Sequence, residues 1–259
     1  RTGDLLTTRP MKGTAPRGRW LEEDDAAAAA LSASEKDRAE NAMIVDLERN
    51  DVGRIARPGS VEVPSMFDLE RFETVWQITS TVTGRLASTT GLVDVFRALF
   101  PSGSVTGAPK VRTMEVIAEL EREPRGIYCG AIGFLAPPGS SWPEASFNVA
   151  IRTVMLDAQS GTAEYGIGGG VTYASNPAQE HDEALAKARV LGTTRPAFAL
   201  LETMRLDGVY RNLDRHMERL AASADFFGFR VDPEGVEVAL ERAASAGPAL
   251  VRLLVDRDG

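Results

Sequence analysis

Four stretches with strand character lie between residues 75 and 167, and they are joined by short turns as well as by helices. Val75–Leu86 is rich in Val, Ile and Thr, and Gly126–Leu135 is a nearly continuous apolar run. Phe147–Leu156 alternates, with Phe147, Val149, Ile151 and Met155 predicted on one face, and Thr162–Ile167 runs into Gly168-Gly169-Gly170. Parallel neighbours need a long crossover, whereas antiparallel ones close through a turn. The connections therefore predict an α+β fold, with a large and mainly antiparallel sheet packed with helices, over strict βα alternation.

Helical signals fill the gaps. Five alanines at 26–30 favour a helix over 20–32 by propensity alone. Ser34 followed by Asp37 resembles a capping box, and Ala39, Met43, Ile44 and Leu47 recur at helical spacing through about residue 55. Further helices are expected near 91–99, near 109–121, where Pro109 suits a first turn, and after Pro177. The pattern breaks at Gly192-Thr193-Thr194-Arg195-Pro196. It restarts with a strand, a turn at Asp207-Gly208 and an amphipathic helix from about Asp214 to Phe227. Two domains are expected, 1–191 and a small α+β fragment at 197–259.

A chain of 259 residues with 43% hydrophobic and 25% charged residues can bury a core without covalent staples. Its one cysteine, Cys129, excludes an internal disulfide framework and reads as a core thiol, which suits a cytoplasmic location. The net charge of −8 argues against a nucleic-acid groove or an anionic membrane surface, and no apolar run is long enough to span a bilayer. The chain opens on Arg1, from which an upstream start is expected.

Two acid pairs stand out. Asp37 and Glu40 are three apart on one predicted helix, and Glu180 and Glu183 repeat that spacing on another, with Lys187 one turn beyond. Facing each other they would offer oxygens suited to Mg²⁺. On spacing alone, two solvated helix faces are the plainer reading. Arg152 lies within an otherwise apolar strand and calls for an anionic partner such as a carboxylate. Glycines at 166, 168, 169 and 170 let backbone N–H groups approach an anion, although a tight turn would use them too. Lys12, between Pro10 and Gly13, becomes a nucleophile if it is desolvated and is otherwise a surface lysine. With His181 and His216 as the only histidines, a histidine zinc site or a Ser-His-Asp triad is not expected.

Seven ordered runs carry a resemblance: Arg9–Gly18 (RPMKGTAPRG), Glu35–Asp51 (EKDRAENAMIVDLERND), Val75–Val82 (VWQITSTV), Gly103–Lys110 (GSVTGAPK), Gly126–Phe134 (GIYCGAIGF), Phe147–Thr153 (FNVAIRT) and Gly166–Gly170. Together they resemble the chorismate-utilising enzymes, a family that includes anthranilate, isochorismate, salicylate and aminodeoxychorismate synthases, over roughly residues 1–190. Members that aminate chorismate without aromatising it typically carry lysine in a P-x-K-G-T motif, as Lys12 stands here, whereas anthranilate synthases usually carry alanine. The resemblance implies conversion of chorismate and ammonia to 4-amino-4-deoxychorismate on the way to p-aminobenzoate and folate. A glutamine amidotransferase partner would supply the ammonia. It also implies covalent catalysis by Lys12, Glu40 and Glu183 as Mg²⁺ ligands, and Asp37 and Glu180 as their water-linked neighbours. Thr14, Ser104, Arg152, Lys187 and the backbone at Gly168 and Gly170 would contact the substrate.

Two departures go with this resemblance. Gln77 replaces a histidine found in several relatives, and the family's S-P-E-type segment, a source of a general acid, would fall before Arg1. From Phe198 onward, Leu200–Met204 and Asn212–Leu220 are similar to fold-type IV pyridoxal-phosphate (PLP) enzymes of the aminodeoxychorismate lyase kind. That similarity assigns Arg219 to the cofactor phosphate. No lysine follows Lys187, so no Schiff base could form in this segment, and Leu213, Met217, Leu220 and Ala221 make an apolar stripe in either case. The expected parent is a synthase–lyase fusion truncated at both ends.

Overall fold

The computed structural model describes residues 1–137, 139–173, 175–192, 197–244 and 247–257. Of the break expected at 192–196, positions 193–196 lie outside the described residues. The chain divides into two compact units. One comprises Arg1–Gly18 with Glu22–Thr193, and the other Thr194–Gly259 with Arg19–Leu21.

The first unit starts with strands β1 (Leu5–Thr8) and β2 (Met11–Pro16), then helices α1 (Leu21–Ala33) and α2 (Glu35–Gly53). Strands β3 (Glu62–Arg71) and β4 (Val75–Arg85) follow, then helices α3 (Leu92–Leu99), α4 (Gly103–Thr106) and α5 (Lys110–Leu120). Two hairpins come next, β5 (Ala131–Leu135) with β6 (Ala145–Val149) and β7 (Val154–Asp157) with β8 (Thr162–Tyr165), and then helix α6 (Pro177–Ala188). Strand β4 is the axis. Its N-terminal half pairs with β2 and its C-terminal half with β1, while β3 runs along the other edge; every pairing is antiparallel.

Helix α2 packs on β4. Gly84 makes this possible, since a Cβ there would stand 2.6 Å from Val52 Cγ1. Leu6, Val45, Val52, Val82, Leu86 and Val95 form the core. Ser34 caps α2 by accepting the Asp37 N–H at 3.3 Å, so the capping signal describes a real helix start. Asn41, fully buried on α2, accepts the Ser80 hydroxyl at 2.6 Å, and Ser80 Oγ accepts the Phe67 N–H at 3.0 Å; one hydroxyl thus ties helix, axis and edge strand together.

The strand expected over Phe147–Leu156 is broken. β6 ends at Val149, Arg152 adopts a left-handed backbone (φ 53°), and β7 begins at Val154. Ala150 joins the Tyr128–Gly130 turn instead: its carbonyl accepts from the Cys129 N–H and its own N–H donates to the Gly130 carbonyl. Arg152 therefore sits at a corner rather than in a strand, and it is exposed. The apolar run from Gly126 likewise begins as a turn that buries Cys129, and only Ala131–Leu135 is strand.

The second unit holds β9 (Leu200–Asp207), β10 (Val209–Tyr210), α7 (Leu213–Phe227), α8 (Pro233–Ala244) and β11 (Ala249–Val255). Gly208 (φ 74°) turns β9 into β10, and β11 covers the other edge of β9. Strand β9 alternates strictly, burying Leu200, Glu202, Met204 and Leu206. Leu200, Leu220, Ala224, Phe229 and Val255 make the core. No described helix is long and apolar enough to cross a membrane.

Candidate functional site

Strand β2 carries the irregularity on which the site turns. Its register against β4 shifts between Met11 and Thr14, so Lys12 and Gly13 form a bulge. Gly13 has φ 85°, a conformation that glycine adopts freely and other residues do not. Gln77 on β4 pins the bulge from below: its Nε2 donates to the Gly13 carbonyl at 2.9 Å and its Oε1 accepts the Thr14 hydroxyl at 3.0 Å. Gln77 serves here as a backbone clamp, and the Thr14 hydroxyl gives its proton to the same clamp.

The missing side chain of Gly13 also lets α2 approach. A Cβ there would lie 2.9 Å from Asp37 Cβ and 3.1 Å from Ile78 Cδ1. The bulge bearing Lys12 thus rests against the first turn of α2 at Asp37, and Glu40 projects from the next turn. Asp37 accepts the Ser34 hydroxyl at 2.5 Å, and Glu40 lies 3.8 Å from Lys36 Nζ.

The glycine run meets this bulge from the other side. The Cβ position of Gly170 is 3.7 Å from Lys12 Nζ, and that of Gly169 is 3.1 Å from Glu180 Oε2 and 3.8 Å from Lys187 Nζ. Lys187 Nζ donates to the Gly168 carbonyl at 3.0 Å and pairs with Glu183 at 2.8 Å. Glu180 accepts the Ser175 hydroxyl at 2.6 Å. Glu183 is held below the usual carboxylate range, first by its bond to Lys187; the more distant charges of Lys36 and Lys12 act the same way. Residues separated by up to 175 positions thus share one electrostatic neighbourhood: Lys12 and Lys36 from β2 and α2, Glu183 and Lys187 from α6. The N–H groups of Gly168 and Gly170 have no hydrogen-bond partner among the described residues.

The run owes its glycines partly to a residue that sequence reasoning missed. A Cβ at Gly166 would stand 2.3 Å from the Tyr128 ring, and one at Gly168 would stand 2.8 Å from its hydroxyl. Tyr128 lies against this stretch, and burial pushes its phenol up. It also lines a cavity of about 340 Å³ with Arg125, Met155, Tyr165 and Gly166, which contains neither Lys12 nor the acid pairs. A tyrosine inside an apolar run carries no spacing signal that distinguishes it from core.

Two expected residues stand apart. Arg152, at its exposed corner, has no ion-pair partner among the described residues, and the Ser104 hydroxyl contacts that of Ser102 at 2.8 Å. No group of three or more His, Cys, Asp or Glu side chains gathers into a metal-holding cluster among the described residues. Magnesium asks for less than that, taking one or two carboxylates and keeping waters or ligand oxygens. The carboxylates of Asp37, Glu40, Glu180 and Glu183 fit it in kind.

In the second unit, Glu202 is 3% exposed and is gripped by α7. Arg219 donates to it through Nε at 2.8 Å and also through Nη2, and His216 Nδ1 lies 2.7 Å away. Burial raises the Glu202 carboxyl, but the bonds from Arg219 and then His216 outweigh it and hold the group low. The guanidinium of Arg219 keeps its Nη1 outside that pair.

A mainly antiparallel α+β unit, in which a bulged lysine, two acid-bearing helices and a glycine run adjoin, defines a class that the comparisons identify. Residues 1–193 match the model for chorismate binding enzymes, and the chain belongs to that family. Residues 199–259 match the model for class IV amino-transferases. The chain is 47% identical over 195 residues to aminodeoxychorismate synthase of Streptomyces griseus, an alignment covering 74% of this chain and 26% of that protein. It is 44% identical over 191 residues to anthranilate synthase component 1 of Streptomyces coelicolor, covering 74% of this chain and 36% of the relative. The crystal structure of anthranilate synthase component I from Streptococcus pneumoniae superposes with a TM-score of 0.62 at 39% identity, over 73% of this chain and 40% of that one. The chain therefore spans well under half of the length of these relatives.

Proposed function

We propose that residues 1–191 are the chorismate-handling domain of an aminodeoxychorismate synthase, a cytoplasmic transferase of p-aminobenzoate and folate synthesis. The observation that carries this reading is Lys12, set on a pinned bulge with Nζ near Gly170, opposite α6. In this reading Lys12 adds covalently to the chorismate ring as the ring hydroxyl leaves. A carbon–nitrogen bond forms as the carbon–oxygen bond breaks, and the oxygen leaves as water after taking up a proton. Ammonia from a glutamine amidotransferase subunit then displaces the lysine amine, which returns to its resting state. Splitting one hard displacement into two is the gain of covalent catalysis.

Lys187 and the free N–H groups of Gly168 and Gly170 are suited to a substrate carboxylate, with Arg152, Thr14 and Ser104 assigned to further substrate contacts. Glu40 and Glu183 would hold Mg²⁺ directly, and Asp37 and Glu180 through water; the ion would draw off charge that builds on the substrate carboxylate. Residues 197–259 are proposed to begin a PLP-dependent lyase domain, with Glu202 orienting Arg219 so that Nη1 can meet the cofactor phosphate.

Incubation with chorismate, Mg²⁺ and ammonium tests the reading, followed by mass spectrometry of the products. Aminodeoxychorismate should form, and when ammonium is withheld a dehydrated chorismate adduct should accumulate on Lys12. Lys12→Ala should bind chorismate yet give neither species. Formation of anthranilate and pyruvate would instead place the protein with the anthranilate synthases.

A further inference from the structure

Between the pairs Met11↔Thr79 and Thr14↔Gln77 the strands β2 and β4 fall out of step, so that Lys12 and Gly13 together face Ile78 alone. A bulge of this kind interrupts the ladder and turns a side chain in a new direction. Gly13 loosens the backbone further, since glycine spans more conformations than any other residue. Yet glycine is required there, because Asp37 and Ile78 leave no room for a Cβ. The residue that follows the lysine is therefore the one whose own conformation restrains it least.

Three contacts make up for this. Ahead of the bulge, the Ser80 N–H donates to the Pro10 carbonyl at 3.0 Å. Opposite it, Asn41 Nδ2 reaches the Ile78 carbonyl from α2 at 3.4 Å. Beyond it, Gln77 holds the Gly13 carbonyl and the Thr14 hydroxyl, at 2.9 and 3.0 Å. Of these, only Gln77 bonds to Gly13 itself. A peptide carbonyl can only accept, so it needs the amide nitrogen, and the hydroxyl then gives its proton to the amide oxygen. A primary amide meets both needs at once. The isosteric carboxylate would turn an oxygen toward the Gly13 carbonyl and repel it, and a thioether of similar length offers neither bond.

We propose that Gln77 is a positioning residue for the nucleophile: its amide fixes the Lys12–Gly13 bulge and so aims Lys12 Nζ at the space beside Gly170, whose Cβ position lies 3.7 Å from it. The proposal rests on the reading above, in which Lys12 adds to the chorismate ring. Reacting groups must be held to within about 0.5 Å, and a displacement of about 1 Å costs about a hundred-fold in rate.

The test compares Gln77→Met and Gln77→Glu with the wild type. It reads chorismate affinity by calorimetry, the rate at which the Lys12 adduct accumulates at saturating chorismate without ammonium, and the backbone order parameter of Gly13 by NMR relaxation. Gln77→Met should keep chorismate affinity within about two-fold while adduct formation slows about ten- to a hundred-fold. Its Gly13 order parameter should fall from about 0.85 to below about 0.6. Gln77→Glu should be as slow at neutral pH. Measured against the wild type at the same pH, it should recover as its carboxyl takes up a proton at about pH 4–5, since the acid donates to Gly13 and accepts from Thr14 as the amide does. An unchanged adduct rate in Gln77→Met, a loss of affinity as large as the loss of rate, a Gln77→Glu deficit constant with pH, or a Gly13 as rigid as in the wild type would overturn the proposal. If the wild type forms no adduct, the reading of Lys12 as nucleophile fails instead. The order parameter alone then decides whether Gln77 fixes the bulge.

Discussion

Replacing Gly13 by alanine separates two costs that the structure assigns to one position. The first is backbone: at φ 85° an L-residue gives up about 1–2 kcal/mol. The second is space, because the new methyl would lie 2.9 Å from Asp37 Cβ and 3.1 Å from Ile78 Cδ1. Asp37 Cβ is fixed to the backbone of α2, and Ile78, at 1% exposure, has no open space into which to swing its Cδ1, so α2 or β4 must yield, at about 1–3 kcal/mol for overpacking. Gly13→Ala should therefore destabilise by about 2–5 kcal/mol. Gly59 supplies the control: its φ is 77° and nothing lies within 4 Å of its Cβ position, so Gly59→Ala should show the backbone cost alone. Urea unfolding of both variants, read at the midpoint with constant slope, gives the difference directly. Equal losses in the two variants would show that Gly13 does not hold α2 against the lysine bulge, and the reasoning about the site would fail with it.

Two further outcomes follow from the packing. Asn41→Ala should cost about 1–3 kcal/mol by stranding the Ser80 hydroxyl, and the Asn41→Ala/Ser80→Ala pair should cost less than the sum of the singles in a double-mutant cycle. In the second unit, Glu202 has a folded pKa below its ordinary 4.5, so its contribution is full above that pH and is lost as pH falls through the folded value. Glu202→Gln should loosen β9 and β11 in native-state hydrogen exchange by about 1–2 kcal/mol at neutral pH. That is modest because the Arg219 side chain is 63% exposed, and the gap to wild type should close in acid.

Much of this molecule was legible in the sequence, and the parts that were not have specific causes. Helix α2 declared itself through Ser34, Asp37 and its apolar stripe, and β4 through its β-branched density, because those signals are local. Strand β3 was missed. Its acidic residues Glu62, Asp68 and Glu70, together with Pro64, dilute the pattern, and it gains its regularity only from pairing with β4 across two register shifts. The strand drawn through Phe147–Leu156 failed at Arg152 because the hydrogen bonds of Ala150 go to the Cys129–Gly130 turn, a partner that alternation cannot reveal. In the site, the residue types were readable but their arrangement was not. The bulge at Lys12 exists only in register with Gln77, more than sixty positions away, and Tyr128 shows its place only against Gly166 and Gly168.

The central claim, that the acid faces of α2 and α6 serve one divalent ion beside Lys12, is open to direct measurement. Mn²⁺ titrated into isotopically labelled protein should broaden the amide signals of Asp37 and Glu40, of Glu180 and Glu183, and of Gly168 and Gly170 together, at a single midpoint that excess Mg²⁺ reverses. Broadening confined to one helix, or two helices responding at separate midpoints, would contradict it.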